Sequence, residues 1–262
     1  TKAKVEDVIS EGAIFHESIR ECVSECDAVI TIVGFPQDVE EVYFDEGNIL
    51  DCASKGAYLI DMTTTSPQIA EKIYAEGTKR GFHVLDAPVT GGATGAKAGT
   101  LSILVGGDKE DFEVCMPLFE AMGTNINYQG EAGKGQHCKL ANQIMIAGTL
   151  SGVCEALTYA KEQGLDPEVF MKSVATGAAG SKQLDTFGPK ILKDDYAPGF
   201  FMKHFIKDMK LALIEANRKG LSLDVLSMVL ANYEELEQEG YGDLGTQALM
   251  KFYDEEHRNM EE

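Results

Sequence analysis

The chain has 262 residues, 44% of them hydrophobic, enough for one large folded domain or two ordinary ones with buried cores. Its 43 acidic side chains against 23 basic ones give a net charge of −20, with no basic patch to interrupt it, so no nucleic acid and no membrane is expected as a partner. Six cysteines, at positions 22, 26, 52, 115, 138 and 154, form no CxxC pair and no metal-ligand spacing with the five histidines, which argues against a disulfide framework or a metal site and suits a reducing cytoplasm.

In chain order, DAVITIV (27–33) reads as a strand, followed by a helix at 38–44, a strand in AYLIDMT (57–63), a helix over 66–80 and a strand in GFHVLDAPV (81–89). That βαβαβ rhythm predicts a parallel sheet with right-handed crossovers. LSILVGG (101–107) is a further strand, 108–121 a helix and INYQG (126–130) a short last strand. No strand pattern follows Gly133. From 134 to 163 apolar residues recur at helical spacing without proline, predicting a helix of about 28 residues stopped by Gly164 and Pro167. Further helices are expected over 167–176, 182–193, 202–219 and 222–239, and the charged run DEEHRNMEE (254–262) is expected to fray. No stretch reads as an uninterrupted apolar run near the ~20 residues of a bilayer span, and TKAKVEDV at the start lacks the apolar region of a signal peptide. The expected architecture is α/β: a Rossmann-type parallel sheet over 1–131, then an all-helical domain over 132–262, joined by a long interdomain helix.

Five stretches carry residues suited to chemistry. DAPVTGGATGAKAGT (86–100) leaves a strand with glycines and threonine hydroxyls, a composition that lets backbone N–H groups converge on an anion such as a carboxylate. A tight connection after Pro88 would look the same. GEAGKGQHCKLANQ (130–143) spends Gly130, Gly133 and Gly135 and then delivers Lys139, with Asn142 at i+3 on the same helical face. A partly desolvated lysine there can exchange a proton near neutral pH; the alternative is a solvated surface lysine. In HFIKDMKLAL (204–213), Lys207 and Asp208 are either functional or an ordinary charged helix face. DMTTTSP (61–67) and IVGFPQDVEEV (32–42) end strands with threonines and with Gly34 and Pro36, and Ser66 and Pro67 are placed to start a helix. Such strand ends either close a turn or touch a cofactor.

Taken in this order, the segments resemble the β-hydroxyacid dehydrogenase family, which includes 3-hydroxyisobutyrate dehydrogenases and tartronate semialdehyde reductases. DAPVTGG is similar to the family's substrate-carboxylate segment DAPVSGG, with Thr90 in place of serine; GEAGKGQHCKLAN matches the pattern GxxGxGxxxKxxN; KDMKLA (207–212) resembles the KDxxLA cofactor segment. The resemblance implies an enzyme using NAD or NADP, with Lys139 exchanging a proton with the substrate hydroxyl, Asn142 orienting the substrate, and Thr90, Gly91 and Gly92 holding its carboxylate. It further implies that Val33, Gly34 and Thr64 line the cofactor groove, that Lys207 contacts the cofactor, and that Asp208 holds the helices around it.

One departure is large. Family members open with a strand and a GxGxMG turn that admits the pyrophosphate to a helix N-terminus, whereas this chain begins at a segment resembling the stretch just after their second strand. About 30 residues, one βαβ unit, are thus expected upstream in a longer native protein. The implied reaction interconverts a small 3-hydroxy acid and its 3-oxo acid or semialdehyde. Imine reduction on the same fold is a second reading, although those relatives lack the lysine at 139, and a non-catalytic helical dimerisation or interaction module on a degenerate fold is a third. Ser181 and Lys182 in TGAAGSKQL (176–184) are candidates for the far wall of the substrate site. Apolar stripes such as LSLDVLSMVL (221–230) suit a homodimer or homotetramer.

Overall fold

The computed structural model describes residues 2–253; the run 254–262, expected to fray, lies outside the described residues. Two short helices, α1 (Glu6–Ser10) and α2 (Ile19–Val23), precede strand β1 (Ala28–Thr31). Pro36 at the first helical position and the Asp38 carboxylate, which accepts from the Phe35 N–H at 2.8 Å, start α3 (Pro36–Phe44). The short α4 (Ile49–Cys52) leads to β2 (Tyr58–Asp61). Ser66 caps α5 (Pro67–Lys79) by accepting from the Gln68 N–H, as the Ser-Pro pair predicts, and β3 (His83–Asp86) follows. The two-residue β4 (Val89–Thr90) and the short α6 (Gly92–Ala98) fill the connection to β5 (Leu101–Gly107), after which come α7 (Lys109–Glu120) and β6 (Gly123–Gly130).

The sheet runs β1-β2-β3-β5-β4, with β6 beside β5. β1, β2 and β3 are parallel, as is the pair β5 and β6, while β5 runs antiparallel to both β3 and β4. The expected all-parallel order therefore stops at β3. A parallel return needs a crossover of a dozen or more residues, usually a full helix; here β4 already pairs with β5, and residues 91–100, which hold the seven residues of α6, carry the chain back in the opposite direction. Alternation splits the buried side chains between two cores. Leu59 and Val84 face Val39, Tyr43 and Ile73 on one side, and Ile60 and Leu85 face Phe112, Cys115 and Phe119 on the other.

The second half is helical: α8 (Lys134–Glu162), α9 (Pro167–Val174), α10 (Lys182–Ile191), α11 (Met202–Arg218) and α12 (Asp224–Gln238), with 3-10 turns at Tyr241–Asp243 and Thr246–Tyr253. Gly164 ends α8, the Leu165 N–H returning to the Ala160 carbonyl at 3.0 Å. Asp166 and Ser181 cap α9 and α10, so the Ser181 hydroxyl accepts from the Leu184 N–H at 3.1 Å, while Lys182 is exposed. By length and average composition α8 would pass as a membrane span, although Gln143, Thr149 and Ser151 interrupt its apolar run. It is a core helix: Leu140, Ala147, Leu150 and Leu157 are buried in one cluster with Phe205, Met209 and Tyr233. Each such leucine contributes roughly 1.5–3 kcal/mol through burial.

The chain divides into two compact units. One comprises the residues up to Thr90 with Gly99–His137, and the other comprises Gly91–Ala98 with the residues from 138 onward.

Candidate active site

In the first unit the register of the parallel strands places Thr31, Asp61 and Asp86 side by side at their carboxyl ends. That is the end at which open α/β sheets bind ligands. Asp61 is 2% exposed; its Oδ1 accepts from the Thr31 hydroxyl at 2.9 Å and from the Thr63 N–H at 3.1 Å, and its Oδ2 has no hydrogen-bond partner among the described residues. Since Thr31 donates to Asp61, the Tyr43 hydroxyl 3.0 Å away donates to Thr31. The Val33 N–H donates to the Thr63 hydroxyl at 3.0 Å, tying the turn after β1 to the turn after β2. The buried Thr65 hydroxyl also lacks a hydrogen-bond partner among the described residues.

Burial raises the Asp61 carboxyl to about 6, against the lowering effect of its Thr63 and Thr31 bonds. A carboxyl raised on folding gives stability that is fully present below its ordinary value near 3.8 and is lost as pH rises through about 6. Asp61→Asn removes the titration. The stability of the variant minus that of the wild type should therefore grow by roughly 2–3 kcal/mol between pH 4 and pH 8. Urea melts across that range test this, and a difference independent of pH would refute it.

Asp86 does different work. Its Oδ1 accepts from the Gly133 N–H at 2.7 Å and its Oδ2 from the Gln136 N–H at 2.9 Å, so a carboxylate from β3 caps the first turn of α8. Burial raises its carboxyl to about 6, while these bonds pull the other way. Gln136, fully buried, bonds the turn after β2 twice: its Oε1 accepts from the Thr65 N–H at 3.0 Å and its Nε2 donates to the Thr63 carbonyl at 2.8 Å. Thr64, between them, is thereby fixed in its backbone. Sequence reasoning missed Asp61, Asp86 and Gln136; a buried acid closing an apolar strand was the available signal for the first two.

The second unit holds the lysines. Lys139 is 7% exposed and has no hydrogen bond or ion pair among the described residues. Burial lowers its ammonium to about 8; Asp208 opposes that shift and Lys207 reinforces it. Asp208, 1% exposed, pairs through Oδ1 with the Lys207 Nζ at 2.9 Å and accepts at Oδ2 from the Gln143 Nε2 at 2.7 Å. Its carboxyl is still raised, burial outweighing the two lysines and the glutamine. The Gln143 Oε1 in turn accepts from the Asn142 Nδ2 at 2.7 Å. Lys139, Asn142, Lys207 and Asp208 are thus one electrostatic cluster, and Gln143, which sequence reasoning left unassigned, is its buried connector.

The DAPVTGG segment divides between the units, Thr90 with the first and Gly91 and Gly92 with the second. Gly91 and Gly92 have φ of 129° and 62°, consecutive left-handed conformations that only glycine adopts at little cost. A side chain at Gly92 would meet nothing within 4 Å, so the backbone there is open to a ligand.

At the carboxyl ends of β1 and β2, Val33, Gly34 and Thr64 present a half-buried turn surface, and beneath it the buried oxygens of Asp61 and Thr65 lack a hydrogen-bond partner among the described residues. For the pyrophosphate, the sequence contains one literal GxGxxG, GYGDLG at 240–245. It follows α12 and opens a 3-10 turn, without the strand, turn and helix that aim N–H groups at phosphate.

Parallel strands ending in polar turns are the frame of an open α/β ligand-binding sheet, and comparison with known families identifies the class as that of nicotinamide-dependent oxidoreductases. Residues 1–130 match the family model of the NAD binding domain of 6-phosphogluconate dehydrogenase, and residues 133–253 match that of the NAD-binding of NADP-dependent 3-hydroxyisobutyrate dehydrogenase. The chain is 49% identical to the uncharacterized oxidoreductase YkwC of Bacillus subtilis (strain 168), over 97% of this chain and 88% of that protein. It is 44% identical to the probable 3-hydroxyisobutyrate dehydrogenase-like 1, mitochondrial, of Arabidopsis thaliana, over 95% of this chain and 75% of that one. Its structure is similar to that of 3-hydroxyisobutyrate dehydrogenase with L-serine from Mycobacterium tuberculosis, with a TM-score of 0.86 at 27% identity, covering 96% of this chain and 87% of that one. The chain belongs to the 3-hydroxyisobutyrate dehydrogenase family of NAD(P)-dependent β-hydroxyacid dehydrogenases.

Proposed function

We propose that the protein interconverts a small 3-hydroxy acid and its 3-oxo acid or semialdehyde, with Lys139 as the general acid and base. The observation that carries this reading is a buried lysine, without hydrogen bond or ion pair among the described residues, held at a proton affinity near about 8. At pH 7.5 roughly a quarter of such lysines are neutral, against about one in a thousand at the ordinary value of 10.5. NAD or NADP, when bound, supplies or accepts the hydride at the carbinol carbon. In oxidation the hydroxyl proton passes to the Lys139 Nζ as the carbon–oxygen double bond forms; in reduction the same ammonium returns the proton to the oxygen. The remaining Asn142 N–H donates to that oxygen and fixes its position, and Thr90, Gly91 and Gly92 receive the carboxylate. Lys207, neutralised in part by Asp208, supports the nicotinamide end, and Val33, Gly34 and Thr64 flank it.

We also propose a cytoplasmic location, supported by six free cysteines, and a homodimer or homotetramer, supported by the exposed Met145 and Tyr159 on α8 and Val225 and Met228 on α12. The test of the activity is to follow nicotinamide absorbance for the protein expressed from its full reading frame, with a panel of small hydroxy acids and semialdehydes. Turnover that requires a carboxylate on the substrate is expected. Absence of turnover together with absence of NAD(P) binding would instead favour a non-catalytic module.

A further inference from the structure

In the first unit one carboxylate gathers both turns at the ligand end of the sheet. The turn after β1 carries Val33 and Gly34, and the turn after β2 carries Thr63, Thr64 and Thr65. The Asp61 Oδ1 accepts from the Thr63 N–H at 3.1 Å, and the Thr63 side chain bonds the same carboxylate while its oxygen accepts from the Val33 N–H at 3.0 Å. From the other side Thr31 donates to Oδ1 at 2.9 Å, with Tyr43 donating to Thr31 at 3.0 Å. Val33 and Thr64 lie beyond the ends of their strands, so side-chain bonds of this kind hold their backbones where the sheet ladder does not. The web has one direction: its donors converge on Asp61, and an ionised carboxylate returns no donor. A proton on Asp61 would sit at Oδ2, which faces no acceptor among the described residues, and the bonds to Oδ1 would lose the charge that makes them roughly twice as strong as neutral ones.

We propose that Asp61 is a positioning residue for the nicotinamide cofactor, its carboxylate being the common anchor of the two turns. The inference rests on the reading of Val33, Gly34 and Thr64 as residues that line the cofactor groove. Asp61 itself, 2% exposed, touches neither cofactor nor substrate in this role. Ionised, it holds both turns; protonated, it releases them, and cofactor affinity falls. Few groups bear on its charge. Asp86 on β3 opposes ionisation, Tyr43 on α3 is pushed by burial well above its ordinary range and stays a neutral donor, and Asp61 forms no ion pair among the described residues. The carboxyl therefore changes charge near about 6, close enough to neutral pH for affinity to follow it.

Protonation and binding are then linked in both directions. A cofactor that prefers the ionised form by about tenfold must lower the Asp61 carboxyl from about 6 to about 5. Both sides are measurable in the protein expressed from its full reading frame: NAD and NADP are titrated by calorimetry, and the Asp61 ¹³Cγ shift is followed with and without whichever binds. The wild-type dissociation constant should rise about fivefold from pH 8 to pH 5, and the ¹³Cγ midpoint should move down when cofactor is added. Asp61→Asn keeps the shape without the charge. It should bind about tenfold more weakly than the wild type at pH 8 and only about twofold more weakly at pH 5. Asp86 and the phosphate monoester of NADP also titrate near 6, alike in both proteins, so the gap between variant and wild type is the quantity that counts. A side chain that merely packs gives neither a gap that closes with acid nor a midpoint that moves. Equal affinities, or an equal gap at both pH values, in the folded variant would overturn the proposal. If the variant does not fold, a wild-type Asp61 midpoint unmoved by bound cofactor does the same. A wild type that binds neither NAD nor NADP at any pH defeats the reading of the groove, and the inference with it.

Discussion

Lys139→Met is expected to lower kcat by about a hundredfold to ten-thousandfold, leave cofactor affinity within a few fold, and raise the melting temperature. The loss follows from removing the only group assigned to move the proton, since methionine fills similar space and neither donates nor accepts it. The gain in stability has an equally definite cause. Burial holds the lysine at about 8 against 10.5 for the free side chain, so the native state carries a cost for keeping it charged. At about 1.4 kcal/mol per pH unit that cost is on the order of 3 kcal/mol. The sign is that of a lysine lowered on folding: the cost is fully present below pH 8 and is relieved as pH rises through 10.5. The methionine variant should accordingly melt on the order of 5 °C higher at pH 7, and this advantage should fade at alkaline pH. Lys139→Arg gives the complementary result, because a guanidinium stays charged at working pH: activity is lost without the gain in stability. Calorimetry at pH 7 and pH 10 alongside steady-state kinetics decides the matter. A Lys139→Met protein less stable than the wild type at pH 7, or one retaining activity, would show that the lysine is not a strained proton carrier.

The parts of this site that were legible in the sequence are those whose logic is local. Lys139 and Asn142 lie three apart on one helix, Ser66 and Pro67 announce the start of α5, and the strand β5 is bounded as its apolar run suggests. Gln143 sits next to Asn142 and was still not assigned, because its meaning comes from Asp208, 65 positions away. Asp86 and Gln136 are similar: their bonds span 47 to 73 positions, and no period of 2 or 3.6 reports them. The direction of β5 was also hidden, since alternation looks the same in parallel and antiparallel strands. Only the glycine-rich connection from 87 to 100, of which strand β4 leaves just 91–100 to return the chain, carried that information. The helix α6 was hidden for a related reason: Gly92 and Gly95 depress helix propensity, and its place in the fold outweighs them.

Two alanine substitutions in α8 should move stability in opposite directions, and the larger effect falls at Gly135. A Cβ there would press on the Leu104 carbonyl oxygen and would lie 2.7 Å from both the Asp86 carbonyl oxygen and the Asp86 Oδ2. Two of these three atoms are backbone held within the sheet, so they cannot rotate away, and the third is the carboxylate that caps the helix. Across the contact Gly106 of β5 is equally bare, since a Cβ on it would lie 2.8 Å from the Gly135 nitrogen. The helix start and the sheet approach as closely as two glycines allow. Gly135→Ala must therefore either lift the first turn of α8 off β5 or expel the cap, and a cost of about 3 kcal/mol or more is expected. Gly152, in the same helix, has nothing within 4 Å of its missing Cβ. Gly152→Ala removes only backbone entropy from the unfolded chain and should stabilise by roughly 0.5–1 kcal/mol. Urea unfolding of both variants makes the comparison, and a Gly135→Ala protein within about 1 kcal/mol of the wild type would show that close approach is not what the glycine provides. Lys139 lies one helical turn beyond Gly135 on the same face. A lifted first turn would displace the lysine as well, so kcat of any folded Gly135→Ala protein should fall while Gly152→Ala turns over normally.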